Sequence, residues 1–348
     1  MKKMIKIENR YISEDYPTFI IAEAGVNHNG SLELAKRLVD VAKKAGVDAI
    51  KFQTFKTEKV VSKFAPKAEY QIKNTGNNES QYEMIKKLEL TEEEFIELYK
   101  YTKEKGLIFL STPFDFESAD FLEDLVPAYK ISSTDLTNLP FLEYIAKKGK
   151  PIILSTGMAT LGEIEEAVNT IKKYNEDIIL LHCITNYPAD FEELNLRAIK
   201  TLKEAFKLPV GYSDHSLGIY APIAAVTLGA VVIEKHFTIN KNLPGPDHKA
   251  SLNPEELKEM VKAIRLIEKA LGDGIKRPTF SEEKIKKVVR KSLVANVDIP
   301  KGSIIKREMV TIKRPGIGIE PKYLDKIIGK KAKRDIKKDE VIRWEDIL

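Results

Sequence analysis

The sequence predicts a (β/α)₈ barrel followed by a small, mostly β domain. Between about residues 17 and 237, eight short runs rich in Ile, Val and Phe alternate with longer segments of helical apolar spacing. Most of these runs are apolar on both faces, as the buried strands of a parallel sheet are. Eight repeats within about 250 residues fit a closed barrel better than an open sheet.

The predicted strands and helices follow each other in a regular order. Residues 31–45 carry an apolar stripe closed by Gly46, which is typical of an amphipathic helix. Residues 91–94 supply an N-cap and a capping box for a helix that ends before Gly106. The eight predicted strands are residues 18–22, 49–55, 107–112, 128–132, 151–155, 178–183, 209–212 and 231–237.

The pattern changes near the end of the chain. A last helix is predicted at residues 254–271, and the polar stretch 272–280 contains glycine and proline, which indicates a linker. Short β-like stretches then occur at residues 292–297, 310–312 and 341–343. We therefore predict a catalytic barrel at residues 1–275, a linker at 276–290 and a second domain at 291–348.

Composition excludes several classes of protein. Hydrophobic residues at 43% and charged residues at 31% are ordinary for a folded domain and argue against disorder, collagen or a disulfide scaffold. The longest apolar run, residues 221–233, is shorter than the roughly 20 residues that span a bilayer. With Cys183 as the single cysteine and no signal-peptide pattern, we expect a cytoplasmic protein.

Positive charge is concentrated in the tail. The chain carries a net charge of +5, but residues 282–348 hold 19 Lys or Arg against 11 Asp or Glu. Such an asymmetry is compatible with a nucleic-acid arm or an anionic ligand. The basic residues occur singly and in pairs, without an RNA-binding aromatic motif or a recognition helix, which disfavours nucleic acid.

Two lysines indicate an anionic ligand. Lys51 and Lys130 each interrupt an otherwise apolar strand, and a lysine enclosed in a barrel without an anion would be energetically costly. With the nearby hydroxyls of Ser133 and Ser155, they could hold a phosphate and a carboxylate on one molecule. The alternative is that the two lysines merely pair with Glu23 or Glu234.

Two histidines are candidate metal ligands. His215 and His236 end adjacent predicted strands, so their imidazoles could share one divalent cation. Spacing alone equally permits two hydrogen-bonding histidines. Three carboxylates could complete such a site or orient its water: Asp214, Glu234 and Asp247. His182 is expected to line or support the site, and the loop residues His28 and His248 to contact substrate or face solvent.

Nine motifs together resemble the N-acetylneuraminate (sialic acid) synthase family, which includes legionaminic and pseudaminic acid synthases. The similarity in order and spacing covers nearly the whole chain, and the tail resembles the antifreeze-like or SAF domain of that family. The motifs are IAEAGVNHNG at 21–30, KFQ at 51–53, STPF at 111–114, YKI at 129–131, LSTGM at 154–158, GYSDH at 211–215, EKHF at 234–237, PGPD at 244–247 and KRPG at 313–316.

The resemblance implies a transferase. The implied reaction condenses phosphoenolpyruvate with the open-chain aldehyde of an N-acylated mannose-type sugar, giving a nonulosonic acid and phosphate. His215 and His236 would bind Mn²⁺ or Mg²⁺, and Glu23 would transfer a proton on sugar or water. By motif position, the implied phosphoenolpyruvate ligands are Lys51, Lys130, Ser133 and Ser155. The implied sugar contacts are Gln53, Asn77, Thr112, Asp135, Tyr187 and Asp247.

The resemblance also implies a homodimer. In the family the tail domain reaches the partner's active site, so Arg314 would contact the sugar of the other subunit. Thr185 and Asp135 stand where some members have other residues, which leaves N-acetylmannosamine and 2,4-diacetamido-trideoxy hexoses both open as acceptors. The rival enzyme class is a heptulosonate or octulosonate phosphate synthase. Such an enzyme needs a second phosphate pocket, for which the strand-end motifs supply no residues.

Overall fold

The computed structural model describes residues 3–76 and 79–348. The chain divides into two compact units, Met1–Gly272 and Asp273–Leu348. Within the described residues, no helix is long and apolar enough to cross a membrane.

The first unit alternates strands and helices in the predicted order, except that a hairpin precedes the barrel and three unpredicted short helices precede the helix at residues 92–104. Its strands are β1 (Ile5–Ile7), β2 (Arg10–Ile12), β3 (Phe19–Gly25), β4 (Ala49–Thr54), β5 (Ile108–Pro113), β6 (Tyr129–Ile131), β7 (Ile152–Ser155), β8 (Ile178–Cys183), β9 (Val210–Asp214) and β10 (Val232–His236). Its helices are α1 (Leu32–Ala45), α2 (Thr57–Val60), α3 (Glu69–Thr75), α4 (Gln81–Lys86), α5 (Glu92–Glu104), α6 (Phe116–Leu122), α7 (Leu139–Lys147), α8 (Leu161–Lys172), α9 (Ala198–Phe206), α10 (Tyr220–Thr227) and α11 (Pro254–Leu271).

A parallel barrel forms the centre of this unit. In the described residues, eight strands are hydrogen-bonded in the order β5-β4-β3-β10-β9-β8-β7-β6. The two end strands, β5 and β6, lie against each other and close the cylinder. The predicted (β/α)₈ fold is therefore confirmed. The antiparallel hairpin β1–β2 was not predicted, because strands of three residues are too short to show a reliable alternation.

The barrel interior has an apolar lower layer and a polar upper layer. Residues such as Phe19, Ile21 and Val232 pack together in the lower layer, which the hairpin β1–β2 closes with Ile5, Ile7 and Ile12. Side chains alternate between the two faces of a strand, so the next inward position lies two residues further on. At the carboxyl ends of the strands these positions are polar, and they line one cavity.

Capping residues predicted from the sequence mark the observed ends of α1 and the start of α5. The Ser31 hydroxyl accepts a hydrogen bond from the Leu34 amide at the start of α1, and Gly46 ends that helix with a positive φ of 81°. At α5, Thr91 and Glu94 form the predicted capping box. These caps fix where each helix leaves the barrel and thus where the loops above the cavity begin.

The second unit contains a small antiparallel pair of strands. It comprises α12 (Phe280–Val289), β11 (Ser292–Ala295), β12 (Val310–Lys313) and α13 (Leu324–Ile327), with β11 paired to β12 and Val341 bridged to Val294. Its own core includes Leu293, Ile305 and Ile342. The division at 1–275, 276–290 and 291–348 stays a prediction, but residues 276–290 contain α12, which begins with a capping box at Thr279 and Glu282.

Gly211 tests how tightly the barrel strands pack. A Cβ atom on Gly211 would lie 2.5 Å from the Val232 carbonyl oxygen and 2.6 Å from Leu181 Cδ2. Gly211→Ala should therefore lower the free energy of unfolding by about 1–3 kcal/mol, measured by thermal or denaturant unfolding. The control Gly162→Ala, in the first turn of α8, meets its nearest neighbouring atom at 4.0 Å and should leave stability equal or slightly higher. Equal stability of the parent and Gly211→Ala would contradict this packing.

Candidate active site

The candidate site is a cavity of about 530 Å³ at the carboxyl ends of the barrel strands. Active sites of (β/α)₈ barrels lie at this end, because several strands bring their last side chains together there. The predicted residues that line the cavity are Glu23, Lys51, Gln53, Thr112, Lys130, Ser133, Asp135, Ser155, Tyr187, His215, His236 and Asp247.

Four charged side chains form an alternating row across this cavity, and each is at most 5% exposed. Lys51 Nζ lies 2.8 Å from Glu23 Oε2 and 3.7 Å from Glu234 Oε2. Lys130 Nζ lies 3.6 Å from Glu234 Oε1. The alternative expectation, that Glu23 and Glu234 pair with the lysines, thus describes real contacts, and two carboxylates balance two ammonium groups in the row.

Hydroxyl groups satisfy the remaining positions around the row. Lys51 donates to the Thr112 hydroxyl at 3.0 Å, and Lys130 donates to the Ser155 hydroxyl at 2.7 Å. Ser213 donates to Glu234 at 3.0 Å. Ser213 belongs to the GYSDH motif but was given no role in the site, although its position two residues before His215 gives it the same inward direction.

Burial shifts the acid–base behaviour of the site. Burial raises the pKa of Glu23 to about 7 against the opposing charge of Lys51, and Glu234 adds to the rise. Burial also lowers the pKa of Lys130, although the Glu234 charge opposes that shift. Both shifts have one cause, since a low-dielectric cavity disfavours the charged form of any group. The lowered pKa of Lys130 indicates that Glu234 does not fully compensate its charge, so an anion bound beside Lys130 would favour the charged form of this lysine.

The two candidate metal ligands lie next to each other on the cavity wall. The ring centroids of His215 and His236 are 5.5 Å apart. Tyr187 stacks on His215 at 4.0 Å and meets His236 edge-on at 5.5 Å. The Nδ1 atom of His215 lies 2.7 Å from the Ile184 carbonyl oxygen, which orients that ring.

Several buried polar atoms in the cavity are unsatisfied within the protein. Among the described residues, Thr185 Oγ1 and His236 Nδ1 have no hydrogen-bond partner, and Glu234 Oε2 has only its 3.7 Å ion pair with Lys51. Buried polar groups are normally paired, so such atoms point to bound ligands. The unpaired Nδ1 of His236 beside His215 fits a divalent cation. In the described part of the chain, no group of three or more His, Cys, Asp or Glu side chains is arranged to hold a metal ion.

Another part of the cavity lining, here called the apolar wall, combines six apolar side chains with the polar side chains of Lys59, Gln71 and Gln81. It is formed by the chain between β4 and α5, in which Asn77 was the only residue predicted to contact a ligand. From the same segment, Tyr70 stacks on Tyr187 with ring centroids 5.1 Å apart. The apolar lining residues of this segment are Phe55, Val60, Val61, Met84, Ile85 and Leu88.

The remaining candidates lie elsewhere. Asn77 is outside the described residues, and Arg314 is exposed in the second unit, just after β12. His182 supports the barrel from outside, since its Nε2 lies 2.7 Å from the Leu194 carbonyl oxygen. His28 and His248 are buried at 1% and 0% exposure, so neither faces solvent.

His248 bridges two loops by contacting Thr238 at 2.7 Å and Asn29 at 3.1 Å.

Asp214, predicted as a possible oxygen ligand of the metal, instead pairs with Lys235 at 2.5 Å. Asp214 follows Ser213 directly and so has the opposite direction on the strand, which takes its carboxylate away from the cavity.

Comparison with known proteins gives closely similar relatives. The chain is 54% identical over 330 residues to the N,N'-diacetyllegionaminic acid synthase of Campylobacter jejuni, covering 94% of this chain and 99% of that protein. It is 48% identical over 335 residues to the protein of the same name from Legionella pneumophila, covering 94% of each.

Solved structures have the same architecture. The N-acetylneuraminic acid (sialic acid) synthetase of Leptospira borgpetersenii, solved with citrate, aligns with a TM-score of 0.73 at 39% identity, covering 82% of this chain and 95% of that one. A truncated 3-deoxy-D-arabino-heptulosonate 7-phosphate synthase of Thermotoga maritima aligns at 0.61 over 78% of this chain and 94% of that one, but at 19% identity it shares the fold alone.

Family profiles agree with these similarities. A SAF domain profile matches residues 290–348. The NeuB family profile matches residues 38–276, and with relatives 48% to 54% identical along almost the whole chain, this protein belongs to the NeuB family.

Proposed function

We propose that this protein condenses phosphoenolpyruvate with the open-chain aldehyde of an N-acylated mannose-type sugar, forming a nonulosonic acid and phosphate. The observation that carries the proposal is the buried pair of lysines, Lys51 and Lys130, beside two adjacent histidines in one cavity. The names of the relatives support the same reaction class.

Phosphoenolpyruvate suits the cationic end of the cavity. Its phosphate and carboxylate would take the ammonium groups of Lys51 and Lys130, with the hydroxyls of Ser133 and Ser155 donating to their oxygens. The Ser133 hydroxyl already accepts a hydrogen bond from the Gly157 amide at 2.9 Å, which leaves its own proton free to donate to the ligand. The two carboxylates of the charged row hold the lysines in place until the anion binds, so little reorganisation is required.

The proposed reaction balances without an oxidant or reductant. C3 of phosphoenolpyruvate forms a bond to the aldehyde carbon, and the aldehyde oxygen takes up a proton to become a hydroxyl. Water adds at C2, and the bond from C2 to the bridging oxygen of the phosphate then breaks, which releases inorganic phosphate. Glu23, which accepts a hydrogen bond from Gln53 at 3.1 Å, transfers a proton on the sugar or the water.

His215 and His236 are the residues that would hold a divalent cation, Mn²⁺ or Mg²⁺, in this proposal. When bound, such a cation supplies Lewis-acid polarisation of the aldehyde oxygen. Tyr187 and Asp247 border the same histidines, and burial raises the pKa of Asp247 to about 6. Both are placed to contact sugar hydroxyl or amide groups, as are Gln53, Thr112 and Asp135.

The apolar wall favours an acceptor with few hydroxyls. A 2,4-diacetamido-trideoxy hexose carries a second acetamido group and fewer hydroxyls than N-acetylmannosamine. Its methyl groups would pack on side chains such as Val61, Met84 and Leu88, at about 0.8 kcal/mol for each buried methylene-sized group. We therefore propose the diacetamido sugar as the preferred acceptor, in agreement with the names of the two relatives.

We also propose a homodimer in which a second copy covers the mouth of the barrel. Loops at this face expose large apolar side chains, including Phe64 at 95% and Tyr220 at 74%, together with Met158, Phe191 and Leu217. Exposed apolar patches of this kind mark protein interfaces. Arg314 from the SAF domain of the second copy would then reach the sugar, as the family resemblance implies.

Measuring phosphate release with a set of acceptor sugars tests the proposed reaction. Phosphate release from phosphoenolpyruvate should be fastest with a 2,4-diacetamido-trideoxy hexose and slower with N-acetylmannosamine, because the apolar wall discriminates by about 1–3 kcal/mol for a small apolar group. Arabinose 5-phosphate and erythrose 4-phosphate should give none. Activity confined to these sugar phosphates would instead establish the octulosonate or heptulosonate reaction.

The histidine pair is tested by His236→Ala. This variant should lose metal-dependent turnover while keeping its far-ultraviolet circular dichroism and thermal midpoint, since it removes a ligand and leaves the core intact. The matched control is His182→Gln, which lies outside the cavity and should keep turnover. Full activity of His236→Ala in metal-replete buffer would remove the metal assignment.

Subunit mixing tests the shared site. Arg314→Ala and His236→Ala should each be nearly inactive alone, whereas a mixed dimer contains one site with both residues intact. After random exchange, turnover should return to about a quarter of the parent value, because half of the dimers are mixed and each has one working site. Absence of rescue in verified mixed dimers would count against the shared site, and a monomer by light scattering would exclude it.

A further inference from the structure

The last paired rung between β9 and β10 is an ion pair. The register of these strands runs Ile233 opposite Tyr212, Glu234 opposite Ser213 and Lys235 opposite Asp214, where the ladder ends. The residue after each member of the pair is a histidine of the candidate metal site, His215 directly after β9 and His236 at the end of β10. The geometry of this ion pair therefore affects the distance between the backbones of His215 and His236.

Both members of this pair are fully buried on the outer side of the barrel. Lys235 Nζ lies 2.5 Å from Asp214 Oδ2, and each side chain is 0% exposed. Two residues earlier on the same strands, Tyr212 and Ile233 belong to the core between barrel and helices. Side chains two apart share a face, so Asp214 and Lys235 face the helices and take no direct part in substrate contact.

The pair also fixes the backbone on both sides of His215. Asp214 Oδ1 accepts hydrogen bonds from the Tyr212 hydroxyl at 2.9 Å and from the Ser216 amide at 3.0 Å. Lys235 donates to the Ser216 carbonyl oxygen as well. Residues 214 and 216 are thus both held by one network, and the imidazole of His215 projects from between them.

Stability alone does not account for this arrangement. Removing two charges from water costs several kcal/mol for each ion, and a well-packed apolar pair at such a position is often equally stable or more stable. A charged pair does, however, impose a defined distance and direction that apolar packing does not.

We propose that Asp214 and Lys235 form a positioning pair that sets the separation of the His215 and His236 imidazoles and thereby the affinity for a divalent cation. This inference rests on the proposed function, in which the two histidines hold that cation. Groups that orient metal ligands from behind typically change metal affinity or activity by about 10–100-fold when they are removed.

The test uses the full-length protein and a variant that removes both charges, Asp214→Asn with Lys235→Met. A single substitution would leave one buried charge unpaired and destabilise the fold, whereas the double change avoids that cost. Mn²⁺ binding is measured by isothermal titration calorimetry, and thermal unfolding is measured without metal. We expect the Mn²⁺ dissociation constant to rise about 10–100-fold, with only a small change in the metal-free thermal midpoint.

The matched control is a polar pair at the opposite end of the barrel. Arg265 Nη2 lies 2.9 Å from Asp48 Oδ2, and Asp48 directly precedes β4. The variant Asp48→Asn with Arg265→Met should change the thermal midpoint but not Mn²⁺ affinity. If both double variants lose Mn²⁺ affinity equally, the effect is general destabilisation and the positioning role is wrong.

The remaining outcomes are also decisive. Unchanged Mn²⁺ affinity in the folded Asp214→Asn, Lys235→Met protein would overturn the inference while leaving the histidine site intact. If the parent protein binds no Mn²⁺ or Mg²⁺, the metal role of the histidines fails, and the positioning role fails with it. Should the double variant not fold, Lys235→Arg decides in the same assay, since it keeps the charge but replaces the ammonium with a larger planar group and should still weaken Mn²⁺ binding.

Discussion

The two-residue period of the barrel strands is the constraint on which the site depends. Successive inward positions on one strand lie about 7 Å apart along its axis, so an apolar residue low in the barrel is followed by the residue that faces the cavity. Ile21 is followed by Glu23, Ala49 by Lys51, and Val232 by Glu234. The lower layer is sealed by the hairpin β1–β2, which leaves the charges above it surrounded by protein. Each charge must then be compensated within its own layer.

That requirement explains the alternating row and its proposed use. Two carboxylates and two ammonium groups neutralise each other at distances of 2.8 to 3.7 Å. Electrostatic interactions are strong where water is excluded, so a bound phosphate and carboxylate would gain more here than at the surface. The outward-facing residues of the barrel strands have a different proposed role. Asp214 and Lys235 make no contact with the substrate in our proposal, yet they hold the strand ends that carry His215 and His236.

The sequence contained much of this arrangement. The succession of strands and helices along the chain, the caps of α1 and α5, and the inward lysines all follow from local sequence patterns. The predicted cavity residues within the barrel do line one cavity. Features that depend on tertiary contact were not accessible. The hairpin β1–β2 is too short to recognise, and α12 begins where the glycine- and proline-containing stretch 272–280 ends, within the residues assigned to the linker. The burial of His28 and His248 depends on loops that are distant in sequence, and the apolar residues between β4 and α5 form no motif that marks them as cavity lining.

The most direct test of this account is the binding of phosphoenolpyruvate to the lysine end of the cavity. Lys130→Met keeps the length of the side chain but removes its charge, and calorimetric titration reports binding without requiring an acceptor sugar. Phosphoenolpyruvate should bind the parent with one molecule per subunit and bind the folded Lys130→Met protein about tenfold or more weakly, because a buried charge contact is lost. Equal affinity for the two proteins would contradict the central claim that the buried lysines form the anion site.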